Sequence, residues 1–402
     1  MSPYRIKTFV KRVFRRLRKR FFWQTTIFNV HNRPNHRPSA LLHYVTEPFY
    51  DKGSENKYVH STAWESVNLT RILDDLGYRV DVVDRSERSW LPDDSYDLVI
   101  ANAAGNSGQR YPEYCKSTPS ALHVFYSRGP QVEVANQLVL DRYASLKERT
   151  GVDGSTMRVM DKVDFEASMS MTDSILTIDS NGFAKSTYGS CGKPIKTWLP
   201  PISPRAQLNR ESLQDRDKRN FFCFAGNGFI AKGVDLVVEA FLEMPELNLT
   251  IAGPSDDLLF WKIYGERISQ ASNITYVGFL EVGGPEYVRI CRTHSWSVLP
   301  AAAEGVCTSV ATTMRSGLLP IVTFGTAVVT GDFGFLLPDR PSEIIMSLLS
   351  LCPELSMWDD DDYESRVDRL LIAAESYSEE SYLSSVTKSL KGILDLDSDL
   401  IR

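Results

Sequence analysis

Hydrophobic positions along the chain follow two periods that take turns. "ALLHYVTEP" (40–48) is a nearly unbroken apolar run and reads as a buried strand. In "STAWESVNLTRILDDLGYRVDVVD" (61–84), Trp64, Val67, Leu69, Ile72, Leu73 and Leu76 recur at helical spacing. Gly77 ends that helix, and "RVDVVD" alternates as a strand. "YDLVIAN" (96–102), "ALHVFYS" (121–127) and "DSILTID" (173–179) repeat the strand pattern, with helical stretches between several of them. After the proline-rich connector "WLPPISPR" (198–205) the alternation restarts. Strands are predicted at 220–226, 247–253, 274–279, 295–300 and 319–324, and helices at 233–244 and around 256–270.

Strands alternating with helices predict an α/β protein with parallel sheets covered on both faces. The expected organisation is a basic arm with a proline-punctuated linker (1–38) and two doubly wound domains (39–200 and 201–342). A helical tail (343–402) is expected to pack back towards the first of them. Such sheets bind ligands beyond the carboxyl ends of their strands, here in a cleft between the two halves.

Composition changes this picture at one end only. With 43% hydrophobic and 24% charged residues, the 402-residue chain is ordinary for a globular protein. Its net charge of −6 hides an asymmetry: residues 1–46 hold eleven Lys/Arg and no Asp/Glu, leaving −6 − 11 = −17 on the rest. In "YRIKTFVKRVFRRLRKRFFW" (4–23), Ile6, Val10, Val13, Phe14, Leu17, Phe21 and Phe22 form an apolar stripe with bases between them. No uninterrupted apolar h-region or 18-residue apolar span occurs, so a secretory signal and a membrane span are not expected. The stripe predicts an amphipathic helix on an anionic membrane face, which makes the expected location cytoplasmic and peripheral to the membrane. A disordered basic arm and a nucleic-acid contact are the competing readings; the acidic body argues against nucleic acid. Six scattered cysteines without C-x-x-C suit reduced thiols, and six histidines form no zinc motif. The N-x-[ST] triplets at Asn68, Asn248 and Asn273 read as chance, since Asn248 falls in a predicted strand.

Candidate chemistry lies in two strand-to-helix loops. "PAAAEGVCTSVATTMRSGLLPIV" (300–322) sets Glu304, Gly305 and a group of small hydroxyl residues between a strand and a short helix. Thr308 or Ser309 can cap that helix, whose first N–H groups and dipole suit an anion. Gly305 permits close backbone approach, and the Glu304 carboxylate can accept from vicinal hydroxyls. In "FFCFAGNGFIAKGVDLVVEAF" (221–241), a turn containing Gly226, Asn227 and Gly228 precedes Lys232-Gly233. Such turns offer N–H groups to phosphate, and Lys232 adds a point charge. The segment fits neither the Rossmann G-x-G-x-x-G nor the P-loop pattern. Phosphate together with sugar hydroxyls describes a nucleotide-sugar.

These two blocks, with "LTIAGP" and "NITYVGF" between them, resemble the donor-binding half of GT-B glycosyltransferases of the retaining family 4 type over roughly residues 220–340. "HSTAWESVNLTRILDDLGYRVDVVD", "ANQLVLDRYASLKERTG" and "CGKPIKTWLP" resemble, more loosely, a bacterial polysaccharide subgroup. The resemblance implies metal-independent transfer of a hexose from a nucleotide diphosphate sugar to a glycan or lipid-linked acceptor. It implies that Lys232 holds the diphosphate and Glu304 the sugar hydroxyls. The amides of Cys307, Thr308, Ser309 and Val310 would hold phosphate and sugar, with Gly278 and Phe279 near the nucleobase. Three positions depart from the pattern. Thr312 stands where a second glutamate is usual, Asn227 where an arginine precedes the lysine, and Gln131 where an acceptor-side histidine is common. Arg128 and His60 are the remaining acceptor-side candidates. A non-catalytic glycan- or nucleotide-binding module is the alternative. His123 reads as a core histidine. The D-x-D triplets in "WDDDDYES" (358–365) and "DLDSD" read as solvated faces, not metal sites.

Overall fold

In the computed structural model, which describes residues 24–50, 62–102, 110–213 and 216–400, the strands form two sheets. The first has seven strands: β1 (Thr26–Ile27), β2 (Ser39–Tyr44), β3 (Arg79–Asp84), β4 (Leu98–Asn102), β5 (Leu122–Ser127), β6 (Ser174–Ile178) and β7 (Ile195–Trp198), in the order β1-β3-β2-β4-β5-β6-β7. The second has six: β8 (Asp217–Phe224), β9 (Asn248–Ala252), β10 (Ile274–Gly278), β11 (His294–Leu299), β12 (Leu319–Thr323) and β13 (Phe335–Leu337), in the order β10-β9-β8-β11-β12-β13. The chain divides into two compact units, Met1–Asn102 with Arg110–Val124, and Ala103–Gln109 with Phe125–Arg402.

Within the first unit, β2 pairs in parallel with β3 and β4, while the two-residue β1 lies antiparallel on β3. Every residue of β2 is buried, which explains why its sequence lacks alternation. The strand stops at Tyr44, four residues before the expected end, and the chain enters a short helix at Glu47–Tyr50. The helix Thr62–Asp75 buries Val67, Leu69, Ile72 and Leu73. His123, as expected, is a core histidine, its Nε2 3.0 Å from the Thr118 hydroxyl.

The second unit contains the whole of the six-stranded sheet, in which every pairing is parallel. Phe221 of β8 stacks on Trp296 of β11 and meets Phe241 edge-on, so the aromatic core lies under the middle of the sheet. Short β1, β7 and β13 escape a reading of periodicity because each carries too few residues to show one.

Among the described residues three α-helices follow residue 340, with a short 3-10 turn (Glu375–Tyr377) between the last two. Pro341–Ser356 packs on the helix Val234–Leu242, and Asp360–Ala374 on Thr308–Arg315. Glu379–Leu400 runs along β7, where Ser389 Oγ donates to the Thr197 carbonyl at 2.7 Å and Tyr382 meets Trp198 edge-on. The acidic run at 359–362 starts a helix: Asp359 accepts from the Asp361 N–H at 2.9 Å, and Asp360 pairs with Lys218 at 2.5 Å. All six cysteines are free thiols.

Candidate active site

In the six-stranded sheet the strand order reverses between β8 and β11, so the loops leaving these neighbours diverge and open a crevice at the sheet's carboxyl edge. These are the two loops singled out by sequence. They are tied directly to each other. Ala302 N donates to the Ala231 carbonyl at 3.0 Å, and Gly233 (φ +72°) faces Pro300, whose carbonyl oxygen would lie 2.5 Å from any Cβ there. Only glycine tolerates both the backbone conformation and that approach.

The 300–307 loop is fastened on its other side to the turn after β12. Glu304 N donates to the Gly325 carbonyl at 2.8 Å, Cys307 N to the Thr326 carbonyl at 3.1 Å, and Thr323 Oγ1 to the Ala301 carbonyl at 2.6 Å. The result is a rigid seat for one carboxylate. Lys232 Nζ donates to Glu304 Oε1 at 2.6 Å, and Arg158 Nη2 reaches Oε1 at 3.2 Å and Oε2 at 3.3 Å. Burial pushes the Glu304 pKa up, but the Lys232 and Arg158 charges and the lysine's hydrogen bond outweigh it and hold the group below its usual value. Two cations thus face one ionised carboxylate, a site with positive charge to offer an anion.

Arg158 was not legible in the sequence. It lies in the irregular stretch 151–164, with a left-handed backbone (φ +68°) unusual for a side chain of its size. The stretch is pinned on both sides. Tyr143 OH accepts from Met157 N at 2.9 Å, and Asn136 exchanges two 2.8 Å hydrogen bonds with the Met160 backbone. No motif surrounds Arg158; only the fold brings it 146 positions along the chain to Glu304.

The other predicted residues separate into groups. Gly226 lies against the Lys232 side chain, a Cβ there meeting Cε at 3.5 Å, and Asn227 is exposed at the tip of the same turn. Gly228 (φ +79°) is occupied from outside by Arg158, whose Cδ would lie 2.8 Å from a Cβ. Gly305 is glycine for a packing reason: a Cβ would overlap the Arg128 carbonyl and Ile178. The expected cap at Thr308 or Ser309 is corrected to Cys307, because the helix begins at Thr308. The Cys307 amide is engaged by Thr326, which leaves the N–H groups of Thr308, Ser309 and Val310 without intrahelical acceptors. Thr312 is buried and its hydroxyl donates back to the Thr308 carbonyl at 2.6 Å. Gln131 caps the helix Val132–Thr150, its Oε1 accepting from Val134 N at 2.8 Å. Arg128 is half-buried, with its carbonyl against Gly305. Gly278 (φ +77°) turns the chain at the end of β10, and Phe279 after it is 69% exposed. His60 lies outside the described residues, as do residues 4–23 of the arm. Among the described residues no group of three His, Cys, Asp or Glu could hold a metal ion.

No protein-family model matches the chain, and no curated protein matches it. Solved structures do. Anabaena Alr3699/HepE in complex with UDP superposes with a TM-score of 0.55 at 10% identity, over 88% of this chain and 100% of that one. Sucrose-phosphate synthase from Thermosynechococcus elongatus gives 0.52 at 12% identity, over 90% and 100%. For the pneumococcal O-GlcNAc transferase GtfA the values are 0.49 and 17%, over 75% of this chain and 57% of that one, so the present chain spans little more than half of GtfA's length. The superpositions on Alr3699/HepE and on sucrose-phosphate synthase show that the fold of this protein is the GT-B fold of glycosyltransferases.

Proposed function

We propose that this protein is a retaining, family 4-like glycosyltransferase that moves a hexose from a nucleotide diphosphate sugar to a glycan or lipid-linked acceptor, without a metal ion, in polysaccharide biosynthesis. The observation that carries this reading is the 2.6 Å contact between Lys232 and Glu304, made by the two loops that flank the strand-order reversal. An ammonium there stabilises the charge that develops on a departing diphosphate, and the helix N-terminus at Thr308 adds its dipole. Glu304, kept ionised, accepts from sugar hydroxyls and orients the ring. Gly278 and Phe279 supply an exposed aromatic face to the nucleobase. The enzyme works at the cytoplasmic face of a membrane, where the basic arm would meet anionic lipid.

A second reading, a nucleotide- or glycan-binding module without turnover, draws support from Gln131. Its side chain caps a helix at the position where an acceptor-side histidine is expected, so it brings no titratable group. One experiment separates the two: nucleotide release from a panel of sugar nucleotides in the presence of candidate acceptors. Turnover by the parent, reduced about a hundredfold in a folded Glu304→Ala variant, is the expected result. Tight nucleotide binding without release from any donor favours the module. Transfer by Glu304→Ala at the parental rate removes Glu304 from the mechanism.

A further inference from the structure

Resting on the reading of this crevice as a diphosphate-sugar site, we propose that Arg158 is the second cation of the diphosphate subsite. It is parked on Glu304 until phosphate oxygens draw it away. The two cations on Glu304 are held differently. Lys232 makes one short contact of 2.6 Å from a side chain 6% exposed, whereas a single Arg158 nitrogen straddles both carboxylate oxygens at 3.2 and 3.3 Å from a side chain 36% exposed. The first contact is short and enclosed; the second is long, shared and open to solvent, so it exchanges at little cost.

The backbone around Arg158 is nonetheless fixed, by Tyr143 through Met157 and by Asn136 through Met160. Its left-handed conformation costs energy in a residue with a side chain, and those anchors hold it. The glycine turn after β8 completes the arrangement. Gly228 is where the Arg158 stem rests, and a Cβ there would lie 2.8 Å from Cδ and 2.9 Å from Cγ. The turn therefore seats a guanidinium beside the lysine that follows it.

A diphosphate brings more negative charge than Lys232 can match, since the lysine is already paired with a carboxylate. A planar guanidinium fork can take two phosphate oxygens at once. Once Arg158 turns to phosphate, Glu304 Oε2 becomes available to a sugar hydroxyl, so phosphate recognition and sugar recognition are coupled through one side chain.

The test is calorimetric titration of the full chain with UDP, GDP and ADP and with the matching monophosphates. The parent is compared with Arg158→Gln, which keeps most of the stem on Gly228, and with Arg158→Lys, which keeps the charge. For whichever diphosphate the parent binds, Arg158→Gln is expected to lose about tenfold to a hundredfold in affinity. Its monophosphate affinity should change less than about threefold, because one phosphate leaves Lys232 sufficient. Arg158→Lys should recover part of the loss. Unchanged diphosphate affinity in Arg158→Gln, or equal losses for mono- and diphosphate, overturns the assignment. A parent that binds none of the three diphosphates overturns the donor-site reading itself, and this inference with it.

Discussion

Glu304 has to stay ionised although most of its side chain is buried. Burial works against its charge, and the ammonium of Lys232, followed by the guanidinium of Arg158, more than reverses that effect. Because the folded-state pKa lies below the unfolded one, the ionised carboxylate stabilises the fold fully above the ordinary glutamate value of about 4.3. The contribution is lost as pH falls through the lower, folded value. Urea unfolding midpoints recorded between pH 7 and pH 3 should therefore drop more steeply for the parent than for Glu304→Gln, which has no carboxylate to protonate. Equal slopes would show that the Lys232–Glu304 contact contributes nothing to folding. The same residues illustrate what a motif conveys. Lys232 and Glu304 stand out because glycines and small hydroxyl residues flank them. Arg158 has an ordinary neighbourhood, and a left-handed backbone angle has no signature in "STMRVM".

At the scale of elements, the site depends on three loops lying against one another with almost no room. Gly325 is the tightest of these positions: a Cβ would overlap the Ala302 carbonyl, and its own carbonyl accepts from the Glu304 N–H. Gly325→Ala must push the 300–307 loop away from the turn after β12 and carry Glu304 with it. The expected cost is about 1–3 kcal/mol of stability, read from the urea midpoint. A fall in nucleotide release should accompany it. Gly189→Ala, where a Cβ meets nothing within 4 Å, should leave both measurements unchanged. A Gly325→Ala protein with parental stability and parental release would show that the loop yields freely.

For the whole molecule, charge is distributed along the chain rather than balanced within it. The first 46 residues carry eleven positive charges and the remainder a net −17. The arm's proposed role on membranes has its own test, and the structure decides where the cut falls. Thr26 and Ile27 pair with Val83 and Val82 of β3, so a deletion that reached residue 30 would damage the first sheet along with the arm. Removing residues 1–23 leaves that pairing intact. The truncated protein should no longer sediment with vesicles containing phosphatidylglycerol, while the full chain does so less strongly as salt rises. Equal sedimentation of the two proteins would dispose of the arm as a membrane contact. Among the described residues no helix is long and apolar enough to cross a membrane.

What the amino-acid order determined alone was the repeated strand–helix alternation, the parallel sheets that follow from it, and the pair Lys232 and Glu304. These are local matters: periodicity records which face of an element is buried, and glycine marks where backbone must turn or come close. The strand order that places β8 beside β11 decided that the two loops meet, and this depends on pairings between residues about seventy-five positions apart, such as Phe221 with Trp296. Tertiary structure also decided which glycines serve packing, as at Gly305 and Gly325, and which polar side chains are taken up by helix ends, as at Gln131. Above all it brought Arg158 to the carboxylate. A contact of that kind exists only once distant segments share one space, and no pattern along the chain encodes it.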